Sequence, residues 1–303
     1  MSASPSYPDA SSVLALTHPR FSRRVVTELR RMASETLWVR FDPDSATGLQ
    51  NFTSSLVDEF QHVLDSLYPV GAKAPVANAP RYTVLQSSHP EYFSLGGDLR
   101  FFRTCIEARD AKRLHDYSMK CLNLMYAWAT KLKGHNTSIA LVQGRALGGG
   151  FEMVLSTDYV IAEQRSSFGF PEIMFGLFPC TGAMGLLASR VGARQAERMM
   201  TNKKIYSAAE LHAMGLIDEL CDDGDGERAV ERYIDEHTRR QKALFKVQQS
   251  RYRHTALDYK EGRTVVDDWV ETAMSLSAEE IRTLEMLMLM QKNEPASNRQ
   301  LAA

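Results

Sequence analysis

Two glycine-bearing turns and two glutamates are the residues of this chain whose types and spacing suit chemistry on a carbonyl group. The first turn is Leu95-Gly96-Gly97-Asp98, and the second, Leu147-Gly148-Gly149-Gly150-Phe151-Glu152, is followed 20 residues later by Glu172. Glycine lets a backbone N–H approach a ligand closely, and such donors stabilise a carbonyl oxygen that gains negative charge. Proton transfer beside that carbonyl needs positioned acids and bases. The residues therefore predict two backbone donors and two carboxyl groups around one substrate carbonyl.

The segments that must hold these residues alternate between strand and helix patterns. Apolar residues at three- and four-residue spacing indicate helices, whereas short apolar runs rich in β-branched residues indicate strands. The helices are expected over 51–68, within 100–134 and over 148–155, and the strands over 36–41, 82–86, 138–142 and 159–162. Tyr117 and Met125, in the apolar stripe of the second helix, are expected in the core. The alternation predicts an α/β fold in which each glycine turn comes after a strand.

The composition is that of an ordinary globular protein. The 303 residues are 44% hydrophobic, enough for a substantial core, and the formal net charge of −1 gives no positive field to attract nucleic acid. Four cysteines lie far apart, with no Cys-x-x-Cys or His-Glu-x-x-His motif, so free thiols are expected rather than a metal site. No apolar stretch is long enough to span a bilayer, and the first residues lack a secretory apolar segment. We therefore expect a cytoplasmic protein.

The chain is expected to divide into four parts. They are a partly disordered N-terminal extension at 1–35, an α/β core at 36–225, a C-terminal helical region at 226–290 and a flexible tail at 291–303. Residues 1–18 are rich in Ser, Pro and Ala, which predicts a lack of fixed structure. The arginines within 20–31 are expected on a solvated helix face, with a docking patch as the alternative. An apolar face within 276–290 is expected to cover an active site or a neighbouring subunit.

Three motifs in the family's order resemble those of the crotonase superfamily, which contains the enoyl-CoA hydratases and isomerases. They are Phe93-Ser94-Leu95-Gly96-Gly97-Asp98-Leu99, Val142-Gln143-Gly144-Arg145-Ala146-Leu147-Gly148-Gly149-Gly150-Phe151-Glu152 and Phe168-Gly169-Phe170-Pro171-Glu172-Ile173. Together with Trp269-Val270-Glu271-Thr272-Ala273-Met274, they are similar to those of the diffusible signal factor synthases within that superfamily. The resemblance covers residues 36–221. It implies a crotonase-like spiral of ββα turns with a C-terminal helical region, and a homo-oligomer that is a trimer or a dimer of trimers.

The same resemblance implies roles for the site residues. The two oxyanion-hole donors fall on the backbone N–H groups of Leu95 and Gly149, and the catalytic acid/base pair falls on Glu152 and Glu172. For a 3-hydroxyacyl thioester, the resemblance assigns the α-proton to Glu172 and the β-hydroxyl to Glu152. The expected substrate-binding residues are Gly96, Leu147, Gly148, Met174, Trp269 and Leu276. No cofactor and no metal are expected, since the phosphopantetheine thioester enters as part of the substrate.

Three further residues near these motifs have simple interpretations. Asp98 is expected to cap a helix, and Cys180, where relatives commonly carry glycine, is expected to be an inert part of the pocket wall. Trp269 fits a core position on a helix nearly as well as the wall of an acyl tunnel. Burial against neighbouring phenylalanines is expected to raise the pKa of at least one of the two glutamates.

The resemblance to the signal synthases implies dehydration of a medium-chain 3-hydroxyacyl thioester of acyl carrier protein to the cis-2-enoyl form. Thioester hydrolysis would follow and release a cis-2-unsaturated fatty acid, a quorum-sensing signal. Two alternatives stay open, namely an enoyl-CoA hydratase of fatty acid β-oxidation and a crotonase-like binding module. The implied partners are a fatty acyl thioester, acyl carrier protein and a membrane sensor kinase, with no nucleic acid. Carrier docking would use Arg100, Arg103, Arg109, Lys112 and Arg113, for which a solvated helix face is the simpler interpretation.

Overall fold

The computed structural model of the protein describes residues 24–31, 33–69, 71, 75–132 and 135–293. The strands are β1 (Val25–Arg31), β2 (Glu35–Phe41), β3 (Tyr82–Ser87), β4 (Tyr92–Ser94), β5 (Thr137–Val142), β6 (Arg145–Leu147), β7 (Tyr159–Glu163), β8 (Ser167–Gly169), β9 (Tyr206–Ser207) and β10 (Glu219–Cys221). The helices are α1 (Ser54–Leu67), α2 (Leu99–Glu107), α3 (Ala111–Lys131), α4 (Gly149–Ser156), α5 (Ala183–Val191), α6 (Ala193–Thr201), α7 (Ala208–Ala213), α8 (Gly226–Thr238), α9 (Gln241–His254), α10 (Tyr259–Met274) and α11 (Ala278–Asn293). A short 3₁₀ helix, Glu172–Phe175, lies between β8 and α5.

Two sheets wind together as a spiral. The larger sheet has the order β1-β2-β3-β5-β7-β10, and the smaller sheet has the order β4-β6-β8-β9. Three strand pairs repeat one pattern, in which the first strand joins the larger sheet, the second strand joins the smaller sheet, and a helix follows. The pairs are β3 with β4, β5 with β6, and β7 with β8. Equivalent strands of successive pairs are parallel. The α/β class and the spiral of ββα turns are therefore confirmed.

The apolar core lies between the sheets and the helices, and it fixes the strand ends from which the glycine turns depart. All six residues of β5 are buried, because parallel strands flank it on both edges and other elements cover its faces. Phe60 of α1 packs edge to face against Phe41 and Trp128, with ring centroids 5.3 and 6.0 Å apart. Edge-to-face contacts of this kind add stabilisation beyond the buried area.

The arginine-rich stretch before residue 32 is a strand where the structure describes it, so the expected solvated helix face is wrong. β1 pairs antiparallel with β2 along its whole length. Arg24 is only 4% exposed, and its guanidinium group donates to the backbone carbonyls of Asp42 and Asn51. The larger sheet therefore extends into the segment that was assigned to the N-terminal extension. The predicted lack of fixed structure over 1–18 concerns residues outside those described.

The C-terminal helices α8 to α11 lie where a helical region was expected. α10 packs along α3, and α11 contacts both α2 and the 3₁₀ helix that begins with Glu172. These contacts place α10 and α11 beside the segments that carry the candidate site. In the described part of the chain, no helix combines the length and the apolar character needed to cross a membrane.

Candidate active site

The first glycine turn offers the amide of Gly97 to a pocket, rather than the amide of Leu95. Leu95 N–H donates to the Gln50 carbonyl at 2.7 Å, so it is already used within the fold. The prediction of Leu95 as an oxyanion donor is therefore wrong. Gly96 N–H donates to Ser94 Oγ at 3.1 Å. Gly97 N–H has no hydrogen-bond partner among the described residues, and Gly97 lines the pocket.

The second glycine turn joins β6 to α4, whose first residue is Gly149. Gly148 has a φ of 52°, in the left-handed region that favours glycine, and a Cβ there would lie 2.3 Å from Glu172 Oε1. Gly149 N–H lies at the N-terminus of α4, where unpaired amides and the helix dipole favour negative charge. A Cβ at Gly149 would lie 3.7 Å from Gly97 N, so the two turns meet. Glycine thus allows two amides and a carboxyl group to lie side by side.

Both turns line a single pocket with about 470 Å³ of empty space, including its opening to solvent. The pocket brings together Gly97, Gly149, Glu152 and Glu172, so two amides and two carboxyl groups face the same cavity. The other wall residues are mostly apolar and are Phe52, Phe102, Tyr117, Ser118, Cys121, Met125, Phe178, Cys180, Thr181 and Trp269. A cavity with an apolar wall and a few convergent polar groups is typical of a small-molecule site.

Glu152 is buried in the first turn of α4, and donors from one loop hold its carboxyl group. Oε1 accepts hydrogen bonds from Thr181 N–H at 2.8 Å and Ala183 N–H at 3.2 Å, and Oε2 accepts one from the Thr181 hydroxyl at 2.5 Å. The pKa of Glu152 is raised overall, because burial raises it by more than these hydrogen bonds lower it through favouring the charged form. Glu152 is therefore fixed in position.

Glu172 begins the 3₁₀ helix after Pro171, and its carboxyl group lies against Gly148. Oε2 is buried and has no hydrogen-bond partner among the described residues. Burial, followed by the negative charge of Glu152, raises the pKa of Glu172 to about 8. This agrees with the expectation that burial raises the pKa of at least one glutamate. A carboxyl group with a pKa raised this far is mainly protonated at neutral pH.

Trp269 is the predicted acyl-wall residue that the structure places on the pocket. It is 2% exposed on α10, and its ring meets Phe102 edge to face with centroids 5.1 Å apart. The indole is therefore both a core residue and a pocket wall. The two interpretations left open for Trp269 describe the same position.

The other predicted substrate-binding residues lie outside the pocket wall. Met174 is 45% exposed on the 3₁₀ helix. Leu147 packs beside Leu95 in a separate small cluster. Leu276 packs beside Gly176, which ends the 3₁₀ helix. The remaining two, Gly96 and Gly148, shape the turns that carry the amides rather than the wall of the pocket.

Sequence reasoning missed several wall residues, of which Thr181, Tyr117 and Met125 are examples. Tyr117 and Met125 were expected in the core, and periodicity alone does not show that the apolar face of α3 also borders a cavity. Thr181 follows Cys180 in Pro179-Cys180-Thr181-Gly182. Relatives commonly carry glycine at the position of Cys180, directly before Thr181. This difference was the signal in the sequence that the loop has its own chemistry.

The remaining polar residues near the pocket agree with their simpler interpretations. Asp98 caps α2 by accepting a hydrogen bond from Phe101 N–H at 3.2 Å. Burial and then the charge of Glu152 raise the pKa of the Cys180 thiol well above its usual range, which makes it a poor nucleophile at neutral pH. Within the described residues, no group of three or more His, Cys, Asp or Glu side chains could hold a metal ion.

Two of the five basic residues after the first turn, Arg103 and Lys112, form ion pairs with neighbouring acids. Arg103 contacts Glu107 at 2.9 Å and Glu285 at 2.8 Å, and Lys112 contacts Asp116 at 2.6 Å. These ion pairs are exposed and leave less positive charge for a partner. The arrangement fits a solvated helix face, and carrier docking at this surface stays a prediction.

Comparison with known proteins gives a family match over most of the chain. The model of the family described as enoyl-CoA hydratase/isomerase matches residues 52–294. The chain is similar to the mevalonyl-coenzyme A hydratase SIDH of Beauveria bassiana, with 32% identity over 105 residues, covering 32% of this chain and 38% of that protein. It is also similar to a probable enoyl-CoA hydratase of Rhizobium meliloti, with 28% identity over 126 residues, covering 42% of this chain and 49% of that protein. These matches span less than half the length of either relative.

Solved structures show the same fold. The enoyl-CoA hydratase from Bacillus halodurans superposes with a TM-score of 0.70 at 20% identity, covering 87% of this chain and 99% of that one. A putative polyketide biosynthesis enoyl-CoA hydratase from Bacillus subtilis gives a TM-score of 0.66 at 19% identity, covering 89% and 98%. At these identities, the likeness establishes the architecture alone.

Proposed function

Because the chain belongs to the enoyl-CoA hydratase/isomerase family, we propose that it catalyses the reversible addition of water to the α,β double bond of an acyl thioester. The observation that carries this proposal is one pocket lined by Gly97, Gly149, Glu152 and Glu172. The names of the similar hydratases from Beauveria bassiana and Rhizobium meliloti support a coenzyme A thioester as the substrate. The enzymatic reading is favoured over an inactive binding module because both carboxyl groups face the cavity.

The two amides supply the electrostatic part of the proposed reaction. Gly97 N–H and Gly149 N–H bind the thioester carbonyl oxygen, which gains negative charge when water adds to the β-carbon and an enolate forms. Donors that are already in place stabilise such charge without reorganisation, and losing one of them costs roughly 3 to 4 kcal/mol of transition-state stabilisation. Gly149 adds the favourable dipole at the N-terminus of α4. The same polarisation makes the β-carbon more electrophilic.

The two glutamates supply the proton transfers. In hydration, the Glu152 carboxylate takes a proton from the attacking water, and protonated Glu172 gives its proton to the α-carbon of the enolate. In dehydration, Glu172 removes the α-proton and Glu152 protonates the departing hydroxyl, so that water is the net product. The pKa of Glu172, raised to about 8, suits the group that starts hydration protonated. The hydrogen bonds on Glu152 offset part of the rise in pKa that burial causes, and Glu172 Oε2 has no such donor among the described residues, so Glu152 is the better placed of the two to start as the carboxylate.

Steady-state kinetics with a 2-enoyl-CoA series tests this function. Glu152→Gln and Glu172→Gln should each lower kcat by roughly a hundredfold to ten-thousandfold, because each removes one proton transfer. The reaction is followed by the loss of absorbance of the conjugated enoyl thioester. Glu236→Gln, on the exposed face of α8, is the matched control and should keep the wild-type rate. A wild-type protein that hydrates no member of the series, or two fully active glutamine variants, would contradict the proposal.

A finer form of the proposal concerns the carrier and the product. The substrate would arrive on acyl carrier protein, and the cis-2-enoyl thioester formed by dehydration would be hydrolysed to the free acid. The motif resemblance to the diffusible signal factor synthases supports this form, as does the position of Trp269 on the pocket wall. The amides of Gly97 and Gly149 would hold the tetrahedral oxygen, and Glu152 would activate a second water once the hydroxyl has left.

One assay separates the two forms. Matched 3-hydroxyacyl groups are supplied on acyl carrier protein and on coenzyme A, and the products are identified by mass spectrometry. Free unsaturated acid released from the carrier substrate supports the finer form, whereas reversible hydration on coenzyme A without acid release leaves only the general one. A cytoplasmic location, a trimer or dimer of trimers, and a membrane sensor kinase as partner stay predictions.

A further inference from the structure

The loop before α5 places a hydroxyl group directly on one catalytic carboxylate. Thr181 is 7% exposed, and its hydroxyl donates to Glu152 Oε2 at 2.5 Å, while its backbone N–H donates to Oε1 at 2.8 Å. Ala183, the first residue of α5, adds a third donor to Oε1 at 3.2 Å. The carboxyl group of Glu152 therefore lies at the N-terminus of α5, where the helix dipole favours a negative charge.

The second carboxyl group of the pocket has the opposite surroundings. Glu172 Oε2 is buried without a hydrogen-bond partner among the described residues, and a Cβ at Gly148 would meet Oε1. Hydrogen bonds from N–H and O–H groups stabilise a carboxylate, whereas burial without donors favours the neutral acid. Two adjacent carboxyl groups with such different surroundings are expected to share one proton unequally.

We propose that Thr181 is a positioning residue, whose hydroxyl holds Glu152 as a carboxylate aimed into the pocket and thereby leaves the shared proton on Glu172. The inference rests on the proposed function, since it assigns the base and the acid of the hydration step. The Thr181 hydroxyl takes one acceptor site of Oε2, and the remaining site of that oxygen stays available for the attacking water.

The hydroxyl contributes something that the two backbone donors do not. The backbone N–H groups of Thr181 and Ala183 both donate to Oε1. Among the described residues, the donor that holds Oε2 is the Thr181 hydroxyl. Oε2 is also the Glu152 oxygen nearer to Gly149, because a Cβ built on Gly149 would lie 3.8 Å from it. Without the hydroxyl, the carboxyl group loses a charge-assisted hydrogen bond and its negative charge becomes less favourable.

Thr181→Val and Thr181→Ser test the inference together. Valine keeps the branched shape and removes the hydroxyl, whereas serine keeps the hydroxyl. We expect Thr181→Val to lower kcat roughly tenfold to a hundredfold, the size expected when a hydrogen bond to a charged group is lost. KM should change little, and the acidic limb of the kcat profile should move to higher pH because the Glu152 carboxylate becomes harder to form. Thr181→Ser should restore both the rate and the profile.

The outcomes separate this inference from the proposed function. If Thr181→Val keeps the wild-type rate and pH profile while Glu152→Gln and Glu172→Gln are inactive, the role of Thr181 is refuted and the function stands. If both glutamine variants stay active, the function itself fails. A rate loss in Thr181→Val that serine does not restore, or that leaves the pH profile unmoved, also refutes the positioning role.

Infrared spectroscopy provides a measurement that does not depend on the valine variant folding. At neutral pH, the protonated carboxyl band of the wild-type protein should persist in Glu152→Gln and disappear in Glu172→Gln. In Thr181→Ser, the band should be unchanged. A band that disappears in Glu152→Gln instead would place the proton on the wrong glutamate and overturn the inference.

Discussion

Replacing Glu172 by glutamine should stabilise the folded protein at alkaline pH while it removes most of the hydration activity. Glu172 is half-buried near Glu152, and its Oε2 is fully buried with no hydrogen-bond partner among the described residues. Ionisation of this group in the folded state is therefore unfavourable. Glutamine has nearly the same shape and stays neutral at every pH, so it avoids that cost.

The magnitude and the sign follow from the raised pKa. In the folded protein Glu172 holds its proton up to about pH 8, whereas the ordinary value is 4.5. Between these values the folded state binds more protons than the unfolded chain, so the free energy of unfolding falls as the pH rises. This contribution is fully present below the ordinary pKa and is lost once the pH passes the folded pKa. The pKa shift of Glu172 corresponds to a loss of about 5 kcal/mol from the free energy of unfolding. This value is an upper bound, because water that enters the pocket reduces the cost of ionising Glu172.

Urea unfolding of the wild-type protein and of Glu172→Gln across the pH range checks this prediction. The variant should differ little from wild type near about pH 5 and should be more stable by several kcal/mol near about pH 9. Glu236→Gln, an exposed glutamate on α8, is the control and should follow the wild-type curve. Wild-type and Glu172→Gln stabilities that run parallel across the range would show that Glu172 is not buried as a neutral acid.

Three further substitutions have defined outcomes. Gly148→Ala should lower kcat at least a hundredfold, because the added Cβ would lie 2.3 Å from Glu172 Oε1. Gly215→Ala is the control, since Gly215 has a φ of 77° and no atom within 4 Å of an added Cβ. This control should lower the free energy of unfolding by only about 1 kcal/mol, through backbone strain, and should keep the activity. Tyr117→Phe should lower the unfolding free energy by roughly 1 to 3 kcal/mol and also lower kcat, since the hydroxyl links two backbone groups beside the first glycine turn; urea unfolding and kinetics measure both. Trp269→Ala should lower the free energy of unfolding by about 3 kcal/mol and should shift the substrate preference, measured as kcat/KM, toward bulkier acyl chains. An unchanged preference would show that the indole does not contact the acyl chain.

The fold could be predicted from the sequence because its local patterns and its motifs agree. The apolar run in 138–142 forms a strand buried on both faces, and the helical stripe in 51–68 forms α1 with slightly shorter bounds. β1 could not be predicted in this way. The arginines of this segment suggested a solvated helix. In the structure, Arg30 of β1 and Arg40 of β2 lie on either side of Glu28 and near the Trp38 ring. The pairing of β1 with β2 creates these contacts, so the local sequence does not show them.

The candidate site could be predicted only in part, because a motif does not show which backbone groups the fold already uses. Gly96 has a φ of 92°, which turns the chain so that Leu95 N–H meets Gln50 while Gly97 lines the pocket. Gln50 is distant in the sequence, so the motif alone does not reveal this hydrogen bond. The hydroxyl of Thr181 reaches Glu152 for the same reason, through the packing of one loop against α4.

The central claim is that two amides and two carboxyl groups act on one thioester. A crystal structure of the Glu152→Gln, Glu172→Gln double variant with a bound 3-hydroxyacyl-CoA tests it most directly. We predict that the thioester oxygen lies about 3 Å from both Gly97 N and Gly149 N, with the β-hydroxyl beside residue 152 and the α-carbon beside residue 172. A thioester bound with its carbonyl oxygen away from those two amides would contradict the claim.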